Sequence, residues 1–126
     1  MKLLYLTNQK ADKKESLLDF LSMHHNEILI HTEKINLDYV KSNRIDVIFS
    51  DRYSYLVPKD VIKFVKGMAV NTHPSYLPLN KGWQPNFFSI YKNDQPGVSL
   101  HYMDEGIDTG GIIQKIKLEF ECKDTL

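Results

Sequence analysis

Short apolar runs recur along the chain, and polar residues bound each of them. Runs of this length that are rich in Leu, Ile and Val are typical of strands buried in a sheet. The chain predicts such strands at residues 2–7, 27–31, 45–50, 68–71, 98–103 and 111–120. The last run alternates apolar and polar residues imperfectly, as a strand with one exposed face does.

Helical periodicity marks the segments between these runs. A broad apolar face or a run of helix-forming residues predicts helices at residues 15–23, 37–43, 58–66 and 83–92. Asn36 is placed to cap the second helix, and Pro58 fits the first turn of the third. Gly67 is a natural end for that third helix. We expect the fourth helix to begin around Pro85.

The alternation of strands and helices predicts an α/β fold, with a Rossmann-like, open and mainly parallel sheet, flanking helices and right-handed crossovers. The loop between the last two strands is too short for a helix, so we expect an antiparallel strand pair near the C-terminus. A chain of 126 residues suits one domain, and we expect residues 1–126 to form one catalytic domain. Asp124 and Thr125 resemble the cap of a further helix, so we expect a domain truncated at its C-terminus.

Composition narrows the function classes. Sixteen basic residues balance sixteen acidic ones, which argues against binding to nucleic acid or to a membrane surface. Cys122 is the only cysteine, so neither an internal disulfide nor a cysteine-based zinc site can form. The chain has no apolar run as long as a signal peptide or a membrane span needs, and we expect a cytoplasmic protein.

Polar residues collect where predicted strands end. The chain has no GxGxxG, P-loop or GxSxG motif, which argues against a classical nicotinamide site and against a serine hydrolase of that design. Asn71 ends the fourth predicted strand and His73 follows it, and Asp108 lies in the glycine-bearing loop before the last strand. Ligands of open α/β sheets bind beyond the carboxyl ends of the strands, so these three side chains are candidates for one cleft.

Three ordered motifs resemble the folate-dependent formyltransferases: NTHPSYLP at residues 71–78, then KGWQP, then GVSLHYMDEGIDTGGII. The resemblance implies that Asn71, His73 and Asp108 are catalytic. Asn71 would stabilise an oxyanion, His73 would relay protons, and Asp108 would orient His73. The co-substrate implied is 10-formyltetrahydrofolate, with no metal.

The resemblance also implies contacts to both substrates. Folate-binding residues would be Arg52, Tyr53, Tyr55, Leu56, Asp104, Glu105, Gly106 and Ile107. Residues near the acceptor would be Ser75, Trp83, Gln84 and His101. The acceptor would be a primary amine, and the stretch LNKGWQPNFFSI resembles most the enzymes that act on nucleotide-linked amino sugars. A homodimer is compatible with the family.

Several alternatives stay open at this point. Within the family, the acceptor could be methionyl-tRNA, glycinamide ribonucleotide or water. A degenerate domain could bind folate without turnover. A metal hydrolase could use His73, His101 and Asp108, although the chain lacks a helical His-Glu-x-x-His motif and a cysteine cluster. Trp83 could be only a core anchor, and Ser75 only a loop residue that forms hydrogen bonds.

Overall fold

A computed structural model describes residues 1–8, 16–25, 27–104 and 106–119. The chain divides into two compact units, Met1–Ala69 and Val70–Leu126. The predictions that concern Glu105, Phe120, Cys122 and the capping pair at residues 124–125 lie outside the described residues, as does most of the loop that follows the first strand.

The first unit alternates strands with helices, as the apolar pattern predicts. Its elements are β1 (Leu3–Leu6), α1 (Ser16–His24), β2 (Ile28–His31), α2 (Leu37–Ser42), β3 (Val47–Asp51) and α3 (Lys59–Phe64). Strand β1 lies between β2 and β3 and is parallel to both. The predicted parallel strands with intervening helices are therefore confirmed here.

Local sequence signals account for these boundaries. The side chain of Asn36 accepts a hydrogen bond of 2.8 Å from the backbone N–H of Tyr39, so it caps α2 as predicted. Gly67 follows α3 with a φ of +78°, a conformation that glycine adopts without steric cost. Burial of Leu3, Tyr5 and Leu21 at the centre of an apolar cluster anchors α1 on the first strand.

The second unit is antiparallel. Its elements are β4 (Ala69–His73), whose first residue is the last of the first unit, α4 (Pro85–Lys92), β5 (Gly97–Tyr102) and β6 (Ile112–Lys117). The antiparallel pairing of β5 with β6 is confirmed, and it contains an irregularity between Leu100 and His101. Strand β5 is also antiparallel to β4, although α4 lies between them in sequence. Helix α4 begins at Pro85, as predicted, and the preceding residue, Gln84, has a φ of +48°.

The register of β4 against β5 determines which side chains share a face. Asn71 pairs with His101, and His73 pairs with Ser99. Alternate residues of a strand point to the same face, so these four side chains lie together on one side of the strand pair. In the part of the chain that the structure describes, no helix has the length and apolar character needed to cross a membrane.

Candidate active site

Strands β4 and β5 bring two predicted site residues into direct contact. The amide Nδ2 of Asn71 lies 3.2 Å from Nε2 of His101. His73, the next residue on that face of β4, is only 5% exposed, and His101 is 2% exposed. The loop before β6 adds Asp108, whose side chain is also almost fully buried. We call Asn71, His73, His101 and Asp108 the polar cluster.

The Asp108 carboxylate lies between the two imidazoles. Its Oδ2 is 3.4 Å from Nδ1 of His73, and its Oδ1 is 3.4 Å from Nε2 of His101. The backbone N–H of Gly82 donates a hydrogen bond of 2.8 Å to Oδ2. One carboxylate therefore faces both rings, and a backbone donor fixes the carboxylate from a third direction.

Hydrogen bonds and close packing fix the conformation of the loop that carries Asp108. Oδ1 of Asp104 accepts hydrogen bonds from the Gly106 N–H, at 2.8 Å, and from the Thr109 hydroxyl, at 2.6 Å. Asp108 itself has a φ of +55°, which is uncommon for a residue other than glycine. A side chain at Gly110 would overlap the carbonyl of Tyr102, so glycine is required there. The loop thus holds Asp108 in a conformation that an unconstrained chain would rarely adopt.

Backbone carbonyls decide where the ring protons lie. Nε2 of His73 is 2.8 Å from the carbonyl oxygen of Asn80, and Nδ1 of His101 is 2.8 Å from that of Tyr102. A carbonyl oxygen only accepts, so both of these ring nitrogens carry a proton. In each neutral ring, the nitrogen that faces Asp108 is consequently bare. A further proton on either ring converts that contact into a charge-assisted hydrogen bond.

The pKa values of the cluster follow from these contacts. Burial by itself lowers the pKa of His101, but its hydrogen bonds to Asp108 and to the Tyr102 carbonyl, with nearby carboxylate charge, raise that pKa overall. Burial raises the pKa of Asp108, but hydrogen bonds from His101 and Gly82, with the charge of the histidines, lower it overall. Asp108 is therefore poised to remain ionised while His101 gains a proton.

These shifts make a prediction about stability and pH. The raised pKa of His101 stabilises the fold fully below about pH 6.5, its ordinary value, and this contribution is lost as pH rises through the folded pKa. The lowered pKa of Asp108 stabilises the fold above about pH 3.9, and this contribution is lost as pH falls through its folded pKa. We expect the free energy of unfolding to be highest between those limits.

Urea unfolding at a series of pH values measures this dependence. His101→Gln should remove about 1 kcal/mol of the decline in the free energy of unfolding above about pH 6.5, the size of one hydrogen bond. His24→Gln is the matched control, because His24 is exposed at the end of α1. Equal pH profiles for wild type and His101→Gln would contradict the assignment.

The residues predicted to lie near the acceptor have different environments. Ser75 is completely buried; its N–H donates to the His73 carbonyl at 2.8 Å, and its own carbonyl accepts from the Ser99 hydroxyl at 2.7 Å. Trp83 is 80% exposed, so the alternative that it is a core anchor is wrong. Gln84 is exposed and precedes α4. His101, predicted beside the acceptor, lies inside the polar cluster.

The residues predicted to bind folate fall into two groups along the chain. Residues 52–56 belong to the first unit. Arg52 has a φ of +53°, and its guanidinium contacts the carboxylate of Asp51 at 2.9 Å. The Tyr53 hydroxyl donates a hydrogen bond of 2.6 Å to the Glu33 carbonyl. The Leu56 side chain is 75% exposed. Residues 104, 106 and 107 belong to the second unit, and Ile107 is 55% exposed.

Two contributors to the site carried no side-chain signal in the sequence. Asn80 contributes its carbonyl oxygen and Gly82 its N–H, and both are backbone groups. The only hint was the triplet Asn80–Lys81–Gly82, whose composition is typical of a turn. Among the described residues, no group of three or more His, Cys, Asp or Glu side chains is placed to hold a metal ion.

Comparison with known proteins decides the family. A sequence profile described as formyl transferase matches residues 8–126. The chain belongs to the formyl transferase family. The family resemblance of the three motifs is therefore confirmed, and the match also includes residues 8–69 of the first unit, which the motifs do not reach.

Individual family members give a finer comparison. The chain is 34% identical to the formyltransferase PseJ from Anoxybacillus kamchatkensis, with a TM-score of 0.86, over 99% of this chain and 64% of that one; PseJ was solved with UDP-4,6-dideoxy-4-formamido-L-AltNAc and tetrahydrofolate. It is 34% identical to dTDP-4-amino-4,6-dideoxyglucose formyltransferase from Mycobacterium bovis over 82 residues. This match covers 65% of this chain and 34% of that protein. It is also 34% identical to methionyl-tRNA formyltransferase from Clostridioides difficile over 90 residues. This match covers 71% of this chain and 29% of that protein.

The likeness to PseJ also supports the fold at the level of the whole chain, because it covers nearly all of it. The predicted formyltransferase-like α/β fold is confirmed. The chain spans no more than about a third of the length of the two curated relatives named above.

Proposed function

We propose that this chain transfers a formyl group from 10-formyltetrahydrofolate to the primary amine of a nucleotide-linked amino sugar. The observation that carries this proposal is the polar cluster, in which one carboxylate contacts two imidazoles and an amide contacts one of them. An amide donor, a titratable ring and an orienting carboxylate are the groups that acyl transfer to an amine requires.

Asn71 supplies the electrophilic group in this proposal. Attack of the amine on the formyl carbon places negative charge on the formyl oxygen, and an amide N–H aimed at that oxygen lowers the barrier. One hydrogen of Nδ2 faces His101, so the other is the donor available to the oxyanion. The burial of the cluster strengthens this interaction because little water competes for the charge.

His73 accepts and donates the transferred proton in this proposal. The attacking amine must lose a proton, and the folate nitrogen that leaves must gain one. His73 faces Asp108 through Nδ1, and the carboxylate stabilises the imidazolium that forms when the ring takes the proton. Because the pKa of Asp108 is lowered, this carboxylate stays charged and remains the acceptor.

His101 orients Asn71 in this proposal. With His101 neutral, its Nε2 accepts a hydrogen bond from the Asn71 amide. With His101 protonated, Nε2 donates to Asp108 instead, so it can no longer accept a hydrogen bond from the Asn71 amide. The whole NH2 group of Asn71 is then free for the oxyanion. The protonation state of His101 thus determines how many donors Asn71 offers.

The acceptor class rests on two lines of support. PseJ, with a TM-score of 0.86, was solved with a sugar nucleotide and tetrahydrofolate, and a second relative is named for an amino sugar linked to dTDP. Methionyl-tRNA is the rival acceptor, since relatives of that activity are equally similar in sequence. The formal net charge of +0 weighs against it, because RNA binding usually requires an excess of basic residues. That Arg52, Tyr53, Tyr55 and Leu56 contact the folate stays a prediction.

An acceptor panel tests the proposal. The chain is incubated with 10-formyltetrahydrofolate and, separately, with dTDP-4-amino-4,6-dideoxyglucose, glycinamide ribonucleotide, methionyl-tRNA or no amine, and formylated product is measured by mass spectrometry. We expect product with the amino sugar nucleotide, at a kcat/KM at least about tenfold above that with the other amines. Faster formylation of methionyl-tRNA, or release of formate without any amine, would contradict the assigned acceptor.

A further inference from the structure

Both ring nitrogens of His73 are already engaged. Nδ1 faces the Asp108 carboxylate at 3.4 Å, and Nε2 donates to the carbonyl oxygen of Asn80 at 2.8 Å. His73 is 5% exposed. A ring that donates through Nε2 cannot accept a proton there. The observed arrangement is therefore a resting one for any reaction in which Nε2 must act as a base.

Asn80 is fixed in place by its own side chain. Its Nδ2 donates to the hydroxyl of Ser89, at 3.0 Å, and to the carboxylate of Asp94, at 3.3 Å. Its backbone has a φ of +53°. Its side-chain oxygen is buried, and among the described residues it has no hydrogen-bond partner. An unpaired buried oxygen and a left-handed backbone both carry a free-energy cost, so this arrangement is one that a ligand could displace.

The loop that contains Asn80 also contacts Asp108, the carboxylate that faces His73. Gly82, two residues after Asn80, donates its N–H to Asp108. A single backbone segment, residues 80–82, thus contacts both His73 and the carboxylate that orients it. Trp83 follows directly and is 80% exposed, so a ligand can contact the loop from solvent. Movement of this loop would change the hydrogen bonding of His73 and Asp108 together.

We propose that Asn80 is a positioning residue, which holds His73 with its proton on Nε2 until the acceptor amine replaces the Asn80 carbonyl. This inference rests on the proposed function. Once the carbonyl is displaced, the single proton of the neutral ring resides on Nδ1, where Asp108 accepts it, and Nε2 is bare. As the bond between the amine nitrogen and the formyl carbon forms, Nε2 takes the proton lost by the amine. When the bond from that carbon to the folate nitrogen breaks, this proton goes to the leaving nitrogen.

Asn80→Gly is the test variant, because glycine tolerates the left-handed backbone while it removes both side-chain anchors. Asn93→Gly is the matched control: Asn93 has a φ of +56° in the same unit, at the end of α4. Nitrogen-15 NMR of the free proteins reports the tautomer of His73, with His73→Gln used to assign its signals. We expect the Nε2-protonated form in wild type and in Asn93→Gly, and a shift toward the Nδ1-protonated form in Asn80→Gly.

Kinetics give a second readout. With dTDP-4-amino-4,6-dideoxyglucose, Asn80→Gly should lower the KM for the amine by about fivefold and change kcat by less than about twofold, because the acceptor no longer displaces a fixed carbonyl. Asn93→Gly should leave both constants unchanged. Ser89→Ala, which removes one anchor of Asn80 and leaves the loop sequence intact, should shift the tautomer in the same direction.

An unchanged His73 tautomer in both Asn80→Gly and Ser89→Ala would overturn the proposal. The same shift in Asn93→Gly would also overturn it, since the effect would then be general loosening of the unit. If no acceptor in the panel is formylated, the proposed function is refuted. The tautomer measurement still tests the role of Asn80 in that case, because it uses the free protein alone.

Discussion

Replacement of His73 by alanine is expected to lower kcat for formyl transfer by about 10²- to 10⁴-fold, the usual range for loss of a general acid or base. The ring lies between Asp108 at Nδ1 and the Asn80 carbonyl at Nε2, and it is the group proposed to take the amine proton. Alanine leaves the attacking amine without a partner for its proton. Folate binding should change little, because His73 acts on the transition state.

The measurement is steady-state transfer with saturating acceptor, accompanied by calorimetric titration of a stable folate analogue. His24→Ala is the control, since His24 is exposed in the other unit. Thermal unfolding of each variant shows whether the fold survives. A kcat for His73→Ala within about threefold of wild type would exclude His73 from the chemical step.

Replacement of Asn71 by alanine is expected to lower kcat by about 10²- to 10³-fold, the range observed when one oxyanion donor is removed. The same change should appear in kcat/KM, because the interaction forms only as charge develops on the formyl oxygen. The KM for the amine should stay within about twofold. His101 loses its Asn71 partner in this variant, so the pH dependence of the residual rate should also shift.

Asn86→Ala provides the comparison for Asn71→Ala, because Asn86 is an exposed asparagine on α4 in the same unit. It should retain the wild-type rate. A rise in KM with kcat unchanged for Asn71→Ala would mean that Asn71 binds substrate uniformly, which is incompatible with an oxyanion role.

The sequence was sufficient for the local part of the structure. Apolar runs marked every described strand, and signals such as Asn36 before α2 located helix starts, because these features depend on neighbours within a few residues. The spacing of Asn71 and His73 also indicated a shared face, since side chains of a strand alternate. Asp108 was suggested by its place in a glycine-bearing loop near a strand end and by the motif resemblance, but its contacts with His73 and His101 depend on packing that the sequence does not show.

The remaining contacts are nonlocal. The position of His101 against Asn71 depends on the register of β4 and β5, which are separated by α4 and two loops. The sequence also did not predict that β5 is antiparallel to β4, because a helix between two strands is usually associated with a parallel crossover. The Asn80 carbonyl and the Gly82 N–H are backbone groups, and residue type does not reveal their partners.

Trp83 shows a further limit. Large aromatic residues are usually at least half buried, so its sequence context allowed a place in the core. The left-handed conformations of Asn80, Gly82 and Gln84 instead turn the loop so that Trp83 is 80% exposed. Backbone angles of this kind in residues other than glycine are uncommon, and they are difficult to anticipate from composition alone.

Transfer of an isotopically labelled formyl group tests the central claim most directly. The chain is mixed with 10-formyltetrahydrofolate labelled in the formyl carbon and with dTDP-4-amino-4,6-dideoxyglucose, and the label is followed by NMR. The account predicts that the label moves from the folate to the sugar amine in wild type, and that it moves at least about 100-fold more slowly with His73→Ala. Label that remains on the folate in wild type, or that reaches the amine equally in both proteins, would contradict it.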